Sequence, residues 1–172
     1  WHRPLKRLFM IDHTLKPIAI IPARGGSTRI PKKNITPICG KPAIVWVIET
    51  LKSSQIFSEI YVTSENDEII TISENSDAKT IHRPEELSTN TSMEIDAYTH
   101  ALQRIKESMG ALPKYFCTPY ATAILLKPED FIKSYNALRN NRHEPDVLMS
   151  VSHYDVHPYK AMQKNSDGYL QM

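Results

Sequence analysis

The chain has 172 residues, 41% of them hydrophobic, and carries 21 Lys and Arg residues against 19 Asp and Glu residues. This length and composition predict one globular domain and exclude a disordered or fibrous protein. The net charge of +2 is too small to favour nucleic acid as a partner. No apolar run approaches the roughly 20 residues that cross a bilayer, so a membrane is not an expected partner either. Cys39 and Cys117 fit neither a metal nor a redox spacing, which favours a reducing compartment, the cytoplasm.

Residues 1–17 show no clear periodicity. The apolar stretch from Leu8 to Ile11 is shorter than the core of a secretory signal, which needs about 7 to 15 residues, and Asp12 follows it at once. Met10 is an alternative first residue of the protein. We therefore expect residues 1–17 to be a disordered or artefactual leader and residues 18–172 to form the domain.

Short apolar runs rich in β-branched and aromatic residues predict strands along the rest of the chain. These runs are Ile18–Ile21, Ile60–Val62, Thr80–Ile81, Tyr115–Cys117 and Asp146–Ser152. The first is apolar throughout and ends at Pro22, a pattern typical of a strand buried on both faces.

Helical patterns lie between the strands. Pro42 is predicted to begin a helix with one apolar face, and Asp67 is predicted to cap the next helix. The inward-facing residues predicted for these two helices are Ile44, Val47, Ile48 and Leu51, and then Ile69, Ile70 and Ile72.

Two further helices follow. Thr91 and Glu94 have the spacing of a capping box, which predicts a helix start at this point. The apolar stripe predicted for that helix is Ile95, Tyr98, Leu102 and Ile105. Pro128 is predicted to begin the last helix, because proline is tolerated in a first helical turn.

Alternation of strands and helices predicts an α/β fold of three layers, with a mainly parallel sheet and helices on both of its faces. Ligands of such sheets bind at the carboxyl ends of the strands. We therefore expect the loops after Ile21, Val62, Cys117 and Val151 to surround one pocket.

The segment from Pro22 to Asn34 is the most informative part of the sequence. Gly25 and Gly26 allow the backbone to approach a ligand and to aim successive N–H groups at it, and Ser27 and Thr28 add hydroxyl donors. Four cations lie within ten residues, namely Arg24, Arg29, Lys32 and Lys33. A solvated basic turn is the alternative, but the position directly after the first buried strand favours binding of a triphosphate.

The same segment resembles the opening signature of the cytidylyltransferases that activate nonulosonic (sialic-type) sugars, Ile-Pro-Ala-Arg-Gly-Gly-Ser-Lys-Arg-Ile-Pro-x-Lys-Asn. The resemblance extends from Ile18 to about Lys164, and Tyr120–Ala123 is similar to the Tyr-Ala-Thr-Ala-Pro segment of the pseudaminic acid branch. Other matching segments are Cys39–Pro42, Val62–Ser64, Glu65–Glu68, Arg83–Leu87 and Ser150–Ser152 with Pro158.

This resemblance implies a nucleotide-diphospho-sugar transferase-like, Rossmann-like fold. It implies transfer of CMP from CTP to the anomeric hydroxyl of a nine-carbon 2-keto sugar acid, with release of pyrophosphate. It also implies Mg²⁺ as the cofactor and a homodimer in the full-length family. The sequence itself shows no dedicated general base, which fits a phosphoryl-type transfer.

The resemblance also assigns roles to residues. The candidates that bind and polarise the triphosphate are Arg24, Arg29 and Lys33, and Arg29 is expected to contribute more than Lys32. The candidates for substrate binding are Ala23, Gly25, Gly26, Ser27, Asn34, Ser64, Arg83, Asn90, Tyr120 and Thr122. Arg83 is expected to meet the cytosine or the ribose, with a surface pair to Glu86 as the alternative, and Ser64 has a turn-forming role as its alternative.

Three departures from the family pattern keep other readings open. Thr28 replaces the family's lysine and resembles the opening of 3-deoxy-manno-octulosonate cytidylyltransferases, which are the alternative activity. Ile124 replaces the proline of the pseudaminic branch. The chain ends at Met172, before the family's C-terminal segment with its acidic metal ligands, so a truncated remnant that binds CTP with very low turnover is a further alternative.

Histidines give a weaker signal. His153, Asp155 and His157 alternate and would share one face of an extended segment, as metal ligands can, but Pro158 favours a loop that contacts sugar or solvent. His82 and His100 are expected to be structural or surface residues rather than acid–base catalysts. The metal ligands are therefore not assigned from the sequence.

Overall fold

The computed structural model describes residues 11–12, 14–27, 30–89, 91–140, 147–151, 153, 163–164, 166 and 170–171. The contacts divide the chain into two compact units, Trp1–Tyr135 and Asn136–Met172. The first unit contains all the parallel strand pairs of the described residues. A domain extending over residues 18–172 stays a prediction.

The strands of the described residues are short. They are β1 (Ile11–Asp12), β2 (Ile18–Pro22), β3 (Pro37–Ile38), β4 (Lys41–Pro42), β5 (Glu59–Ser64), β6 (Lys79–His82), β7 (Leu112–Pro113), β8 (Phe116–Cys117), β9 (Gln163–Lys164) and β10 (Leu170–Gln171). Four of them form a parallel sheet in the spatial order β6-β5-β2-β8. Pairs β3-β4 and β9-β10 are antiparallel, and β1 pairs with β7 in parallel.

The helices follow the strands in alternation. They are α1 (Ala43–Ser54), α2 (Asp67–Glu74), α3 (Glu94–Met109) and α4 (Pro128–Asn140), with 3-10 turns at Lys33–Ile35 and Glu85–Leu87. Within the described ranges, no helix is both long enough and apolar enough to cross a bilayer.

Strand β2 separates the two halves of the core. Successive side chains of a strand point to opposite faces, so Ile18 and Ile20 lie on one face and Ala19 and Ile21 on the other. The first face packs against Ala101, Leu102 and Ile105 of α3. The second packs against Ile44, Val47 and Ile48 of α1 and Ile69 of α2. Helices therefore cover both faces of a parallel sheet, which confirms the predicted three-layer α/β fold.

Helix α2 begins one residue away from the predicted position. Asn66, not Asp67, is the N-cap, and its Oδ1 accepts the N–H of Ile69 at 3.1 Å. Asp67 and Glu68 instead occupy the first turn, where their charges interact favourably with the helix dipole. Both residues at the boundary are good capping residues, so local preference alone did not decide between them.

The capping box predicted at the start of α3 is wrong. Met93 is the N-cap and no side chain caps the helix, while the hydroxyl of Thr91 lies 3.1 Å from that of Thr89. The N–H of Ser92 also donates to Thr89 Oγ1 at 3.1 Å. The hydroxyl groups of this segment thus bond one another in the preceding turn instead of capping the helix.

One other expectation is corrected outside the sheet. Residues 147–151, the described part of the predicted strand Asp146–Ser152, contain no strand, and Val151 is 90% exposed. An apolar β-branched run indicates a preference for burial, but it does not provide a neighbouring strand. Within residues 1–17, Ile11–Asp12 pair with β7 and the carbonyl of Pro17 accepts the N–H of Ser58 at 2.8 Å. A disordered or artefactual leader over residues 1–17 stays a prediction.

Helix α3 offers a matched test of the core. Ile105 is 1% exposed, whereas Ile95, predicted to face inward, is 45% exposed on the same helix. We expect Ile105→Ala to lower the free energy of unfolding by about 2 to 5 kcal/mol through lost burial and a cavity. Ile95→Ala makes the same change in helix propensity and should alter stability by no more than about 0.5 kcal/mol. Urea denaturation measures both; equal losses would contradict this packing.

Candidate functional site

A cavity of about 460 Å³ opens at the carboxyl edge of the sheet. Its walls come from the loops after β2, β6 and β8 and from the start of α3. It is lined by Pro22, Arg24, Ser27, Lys33, Asn34, Arg83, Leu87, Ser88, Thr89, Ser92, Met93, Glu94, Ala97, Tyr120, Ala121 and Thr122. The loops predicted after Ile21 and Cys117 therefore meet at one pocket, where ligands of parallel sheets bind.

The cavity lining carries more cationic than anionic side chains. Arg24, Lys33 and Arg83 lie in the walls, and Glu94 is the one carboxylate residue among the lining residues. Cations concentrated in a cleft attract a polyanion because low-dielectric walls focus their field. Lys32 is not among the residues that line the cavity. Its φ is 51°, and its Nζ lies 2.5 Å from a carboxylate oxygen of the exposed Glu68.

The loop that contains Gly25 and Gly26 is held by hydrogen bonds within the protein. The N–H of Gly25 donates to Glu65 Oε1 at 2.6 Å, and the N–H of Ser27 donates to the carbonyl of Gly25 at 3.0 Å. These two amides therefore bond within the protein, which corrects the expectation that successive N–H groups of the loop face a ligand. Ser27 lines the cavity, whereas Gly25 and Gly26 are not among the lining residues.

Three predicted binding residues shape the walls instead. Ala23 is buried, and its N–H donates to the carbonyl of Thr63 at 3.0 Å, continuing the pairing of β2 with β5. Ser64 is fully buried and its hydroxyl accepts the N–H of Asn66 at 3.0 Å, so it is a turn residue rather than a ligand contact. Asn34 lines the cavity and donates to the carbonyl of Arg24 at 2.9 Å, which fixes the loop.

Arg83 is a buried cation in the lining of the cavity. Its side chain is 4% exposed and lines the cavity. Its Nη2 donates to Glu65 Oε2 at 3.1 Å and its Nε donates to Ser88 Oγ at 2.8 Å. The alternative of a surface pair with Glu86 is therefore wrong, because Arg83 turns inward to a carboxylate on the neighbouring strand's loop.

The surroundings of Glu65 favour its charged form. Burial would raise the pKa of the Glu65 carboxyl, but hydrogen bonds from its own amide and from Gly25, Ser88 and Arg83 outweigh that effect. The pKa therefore lies below its ordinary value. A charged carboxylate is stable here because donors surround both of its oxygens.

The opposite wall carries phenol and hydroxyl groups. Tyr120 is exposed, and its hydroxyl donates to Glu94 Oε2 at 3.4 Å; the charge of Glu94 raises the pKa of Tyr120. Thr122 also lines the cavity, and its role in substrate binding stays a prediction.

Sequence reasoning missed several lining residues. The hydroxyls of Ser88, Thr89 and Ser92, together with the carboxylate of Glu94, lie in the cavity wall. The signal for them is the Ser/Thr-rich run between Arg83 and α3, of which only Thr91 and Glu94 enter the capping-box prediction. Arg24 Nη1 donates to the carbonyl of Thr89 at 3.1 Å, so this run also contacts the loop after β2 directly.

Other predicted residues lie outside the described part of the chain: Thr28, Arg29, Asn90, Asp155 and His157. Among the described residues, no three His, Cys, Asp or Glu side chains converge on a metal position. His82 and His100 are not among the residues that line this cavity. Burial, then the charges of Arg104 and Arg83, lower the pKa of His100.

Comparison with known proteins gives consistent matches. The cytidylyltransferase family model matches residues 18–166. A pseudaminic acid cytidylyltransferase of Campylobacter jejuni subsp. jejuni is 33% identical over 159 residues, which are 92% of this chain and 67% of that protein. A 3-deoxy-manno-octulosonate cytidylyltransferase of Bartonella tribocorum is 51% identical over 53 residues, which are 31% of this chain and 22% of that protein.

Solved structures share the fold. The structure of CMP:2-keto-3-deoxy-manno-octonic acid synthetase complexed with CTP matches with a TM-score of 0.61 at 20% identity. The match covers 74% of this chain and 48% of that one, so the chain spans about half of that protein's length. This likeness confirms the predicted nucleotidyltransferase-like fold.

Gly25 and Gly26 provide a matched test of the loop. A Cβ at Gly25 would lie 2.7 Å from Asn66 Nδ2, whereas nothing lies within 4 Å of a Cβ at Gly26. Asn66 caps α2, so moving its side chain would break the cap. We expect Gly25→Ala to cost about 1 kcal/mol or more of unfolding free energy and Gly26→Ala to cost less. Thermal unfolding checks this; a loss confined to Gly26→Ala would contradict the close approach.

Proposed function

Because the chain belongs to the cytidylyltransferase family, we propose that it transfers CMP from CTP to the anomeric hydroxyl of a nonulosonic acid of the pseudaminic type and releases pyrophosphate. The observation that carries the proposal is the convergence of Arg24, Lys33 and Arg83 on one cavity at the carboxyl edge of the sheet. The match to the Campylobacter jejuni protein over 92% of this chain supports the choice of sugar acid.

In the proposed reaction, the anomeric hydroxyl of the sugar acid loses its proton to solvent as its oxygen forms a bond to the α-phosphorus of CTP. The bond from that phosphorus to the β-phosphate oxygen breaks, and pyrophosphate leaves with the electron pair. Negative charge accumulates on the departing group. Arg24 and Lys33 would neutralise it, since fixed cations in a cleft stabilise the developing charge without reorganising.

Arg83 has a different proposed role. Its Nε and Nη2 are held by Ser88 and Glu65, which fixes the plane of the guanidinium. A planar fork with a fixed plane suits an edge of cytosine or the ribose better than a freely rotating phosphate. The hydroxyls of Thr89 and Ser92 are further candidates for contacts to the sugar of the nucleotide.

Magnesium remains part of the proposal through the family resemblance alone. The described residues do not fit a self-contained Mg²⁺ site, because they supply no convergent group of three His, Cys, Asp or Glu side chains. The roles proposed above therefore belong to the chain's own cations. The cytoplasm is the proposed location, which the free thiols of Cys39 and Cys117 support.

A second candidate substrate is 3-deoxy-manno-octulosonate. The specific observation in its favour is the 51% identity to the Bartonella tribocorum protein over 53 residues. The match to the pseudaminic acid enzyme is lower in identity but extends over 159 residues, so we favour the pseudaminic type. The aligned part is 67% of that relative's length. The activity of the whole relative is therefore assigned to this chain only as a proposal.

Pyrophosphate release tests the function and the substrate together. The 172-residue chain is incubated with CTP and Mg²⁺ and with pseudaminic acid, N-acetylneuraminic acid or 3-deoxy-manno-octulosonate in turn, with ATP replacing CTP as the control. We expect release with CTP and pseudaminic acid and none with ATP. Release only with 3-deoxy-manno-octulosonate would select the second candidate. CTP binding without release in any mixture would indicate the non-catalytic remnant.

Lys33 and Lys32 provide a matched pair for the triphosphate site. We expect Lys33→Ala to weaken CTP binding about tenfold or more, because it removes a charged contact from the cavity wall. Lys32→Ala removes a lysine whose Nζ pairs with Glu68 on the surface and should change the affinity less than about twofold. Isothermal titration calorimetry measures both. Equal losses for the two variants would contradict the proposed placement of the triphosphate.

A further inference from the structure

The carboxylate of Glu65 lies behind the cavity and connects two of its walls. Its Oε1 accepts the N–H of Gly25 at 2.6 Å, in the loop that carries Arg24. Its Oε2 accepts Nη2 of Arg83 at 3.1 Å, in the loop after β6. Glu65 is not among the residues that line the cavity, so its effect on a ligand would be exerted through these two partners.

Ser88 belongs to the same set of polar contacts. Ser88 Oγ accepts Nε of Arg83 at 2.8 Å, and the Ser88 hydroxyl helps to lower the pKa of Glu65. The side chains of Glu65 and Arg83 are 16% and 4% exposed. In such a buried pair each charge depends on the other, because removing one leaves the second desolvated and uncompensated.

We propose that Glu65 is a positioning residue of the nucleotide site, which fixes the guanidinium plane of Arg83 toward the nucleoside end of CTP while its other oxygen holds the Gly25 loop. This inference rests on the proposed function. Glu65 comes from the loop after β5, so a strand that contributes no lining residue still determines the shape of the cavity.

The two oxygens of Glu65 can be tested separately. In Glu65→Gln, the amide oxygen can still accept the N–H of Gly25, but the amide nitrogen is a donor and cannot accept from Arg83. The variant therefore keeps the hydrogen bond from Gly25 and removes the hydrogen bond from Arg83. Glu68→Gln is the matched control, since it makes the same chemical change on the exposed first turn of α2.

The readout compares two ligands, CTP and inorganic tripolyphosphate, by calorimetry. We expect Glu65→Gln to weaken CTP binding about tenfold and to change tripolyphosphate binding less than about twofold, because Arg24 and Lys33 are untouched. Glu68→Gln should leave both affinities within about twofold of the unsubstituted chain. A general loosening of the fold would weaken both ligands alike, and that outcome would overturn the inference, as would unchanged CTP binding.

Amide hydrogen exchange separates this inference from the proposed function. In the absence of ligand, we expect Glu65→Gln to accelerate exchange in a peptide covering residues 83–88 and Glu68→Gln to leave it unchanged. If the unsubstituted chain binds no CTP, the proposed function is contradicted, and the exchange experiment still decides the role of Glu65. Unchanged exchange in residues 83–88 would then overturn the positioning role, and faster exchange would support it.

Discussion

Strand β2 is the element on which the rest of the first unit depends. It pairs with β5 on one side and β8 on the other, and Ile18 to Ile21 are all fully buried between helical layers. Burying such a side chain contributes about 1.5 to 3 kcal/mol, so the direction and register of this strand are strongly fixed. Because helices cover both faces of this strand, the chain can present polar side chains only after the strand ends. The candidate site begins at that point.

Support for the site comes from side chains that bond to main-chain groups of other loops. Asn34 fixes the carbonyl of Arg24, Glu65 fixes the amide of Gly25, and Asn66 both caps α2 and packs against Gly25. All of these contacts are made within the protein and involve no ligand. They hold a cationic loop in place before any ligand neutralises it, and pre-organisation of this kind lowers the entropy cost of binding.

The sequence was sufficient for the four strands of the parallel sheet and the four helices, because apolar periodicity follows from burial of one face or both. It was less informative at element boundaries, where Asn66 and Asp67, or Thr91 and Met93, compete for one cap position. The partner of Arg83 could not be predicted, since Glu65 lies 18 residues away in the chain and its link to Gly25 spans 40 residues. Local patterns identify candidate residues, but tertiary packing decides which of them face a cavity.

The hydrogen bond between Arg24 Nη1 and the carbonyl of Thr89 connects the loop after β2 to the turn before α3. A phosphate that takes the N–H now bonded to Thr89 exchanges one hydrogen bond for another, so the net gain from that N–H is smaller than the charge of Arg24 suggests. The remaining N–H groups of the guanidinium can meet a phosphate without this exchange. Where the exchange occurs, the Thr89 carbonyl loses this donor, so anion binding at one wall of the cavity alters the hydrogen bonding of the other wall.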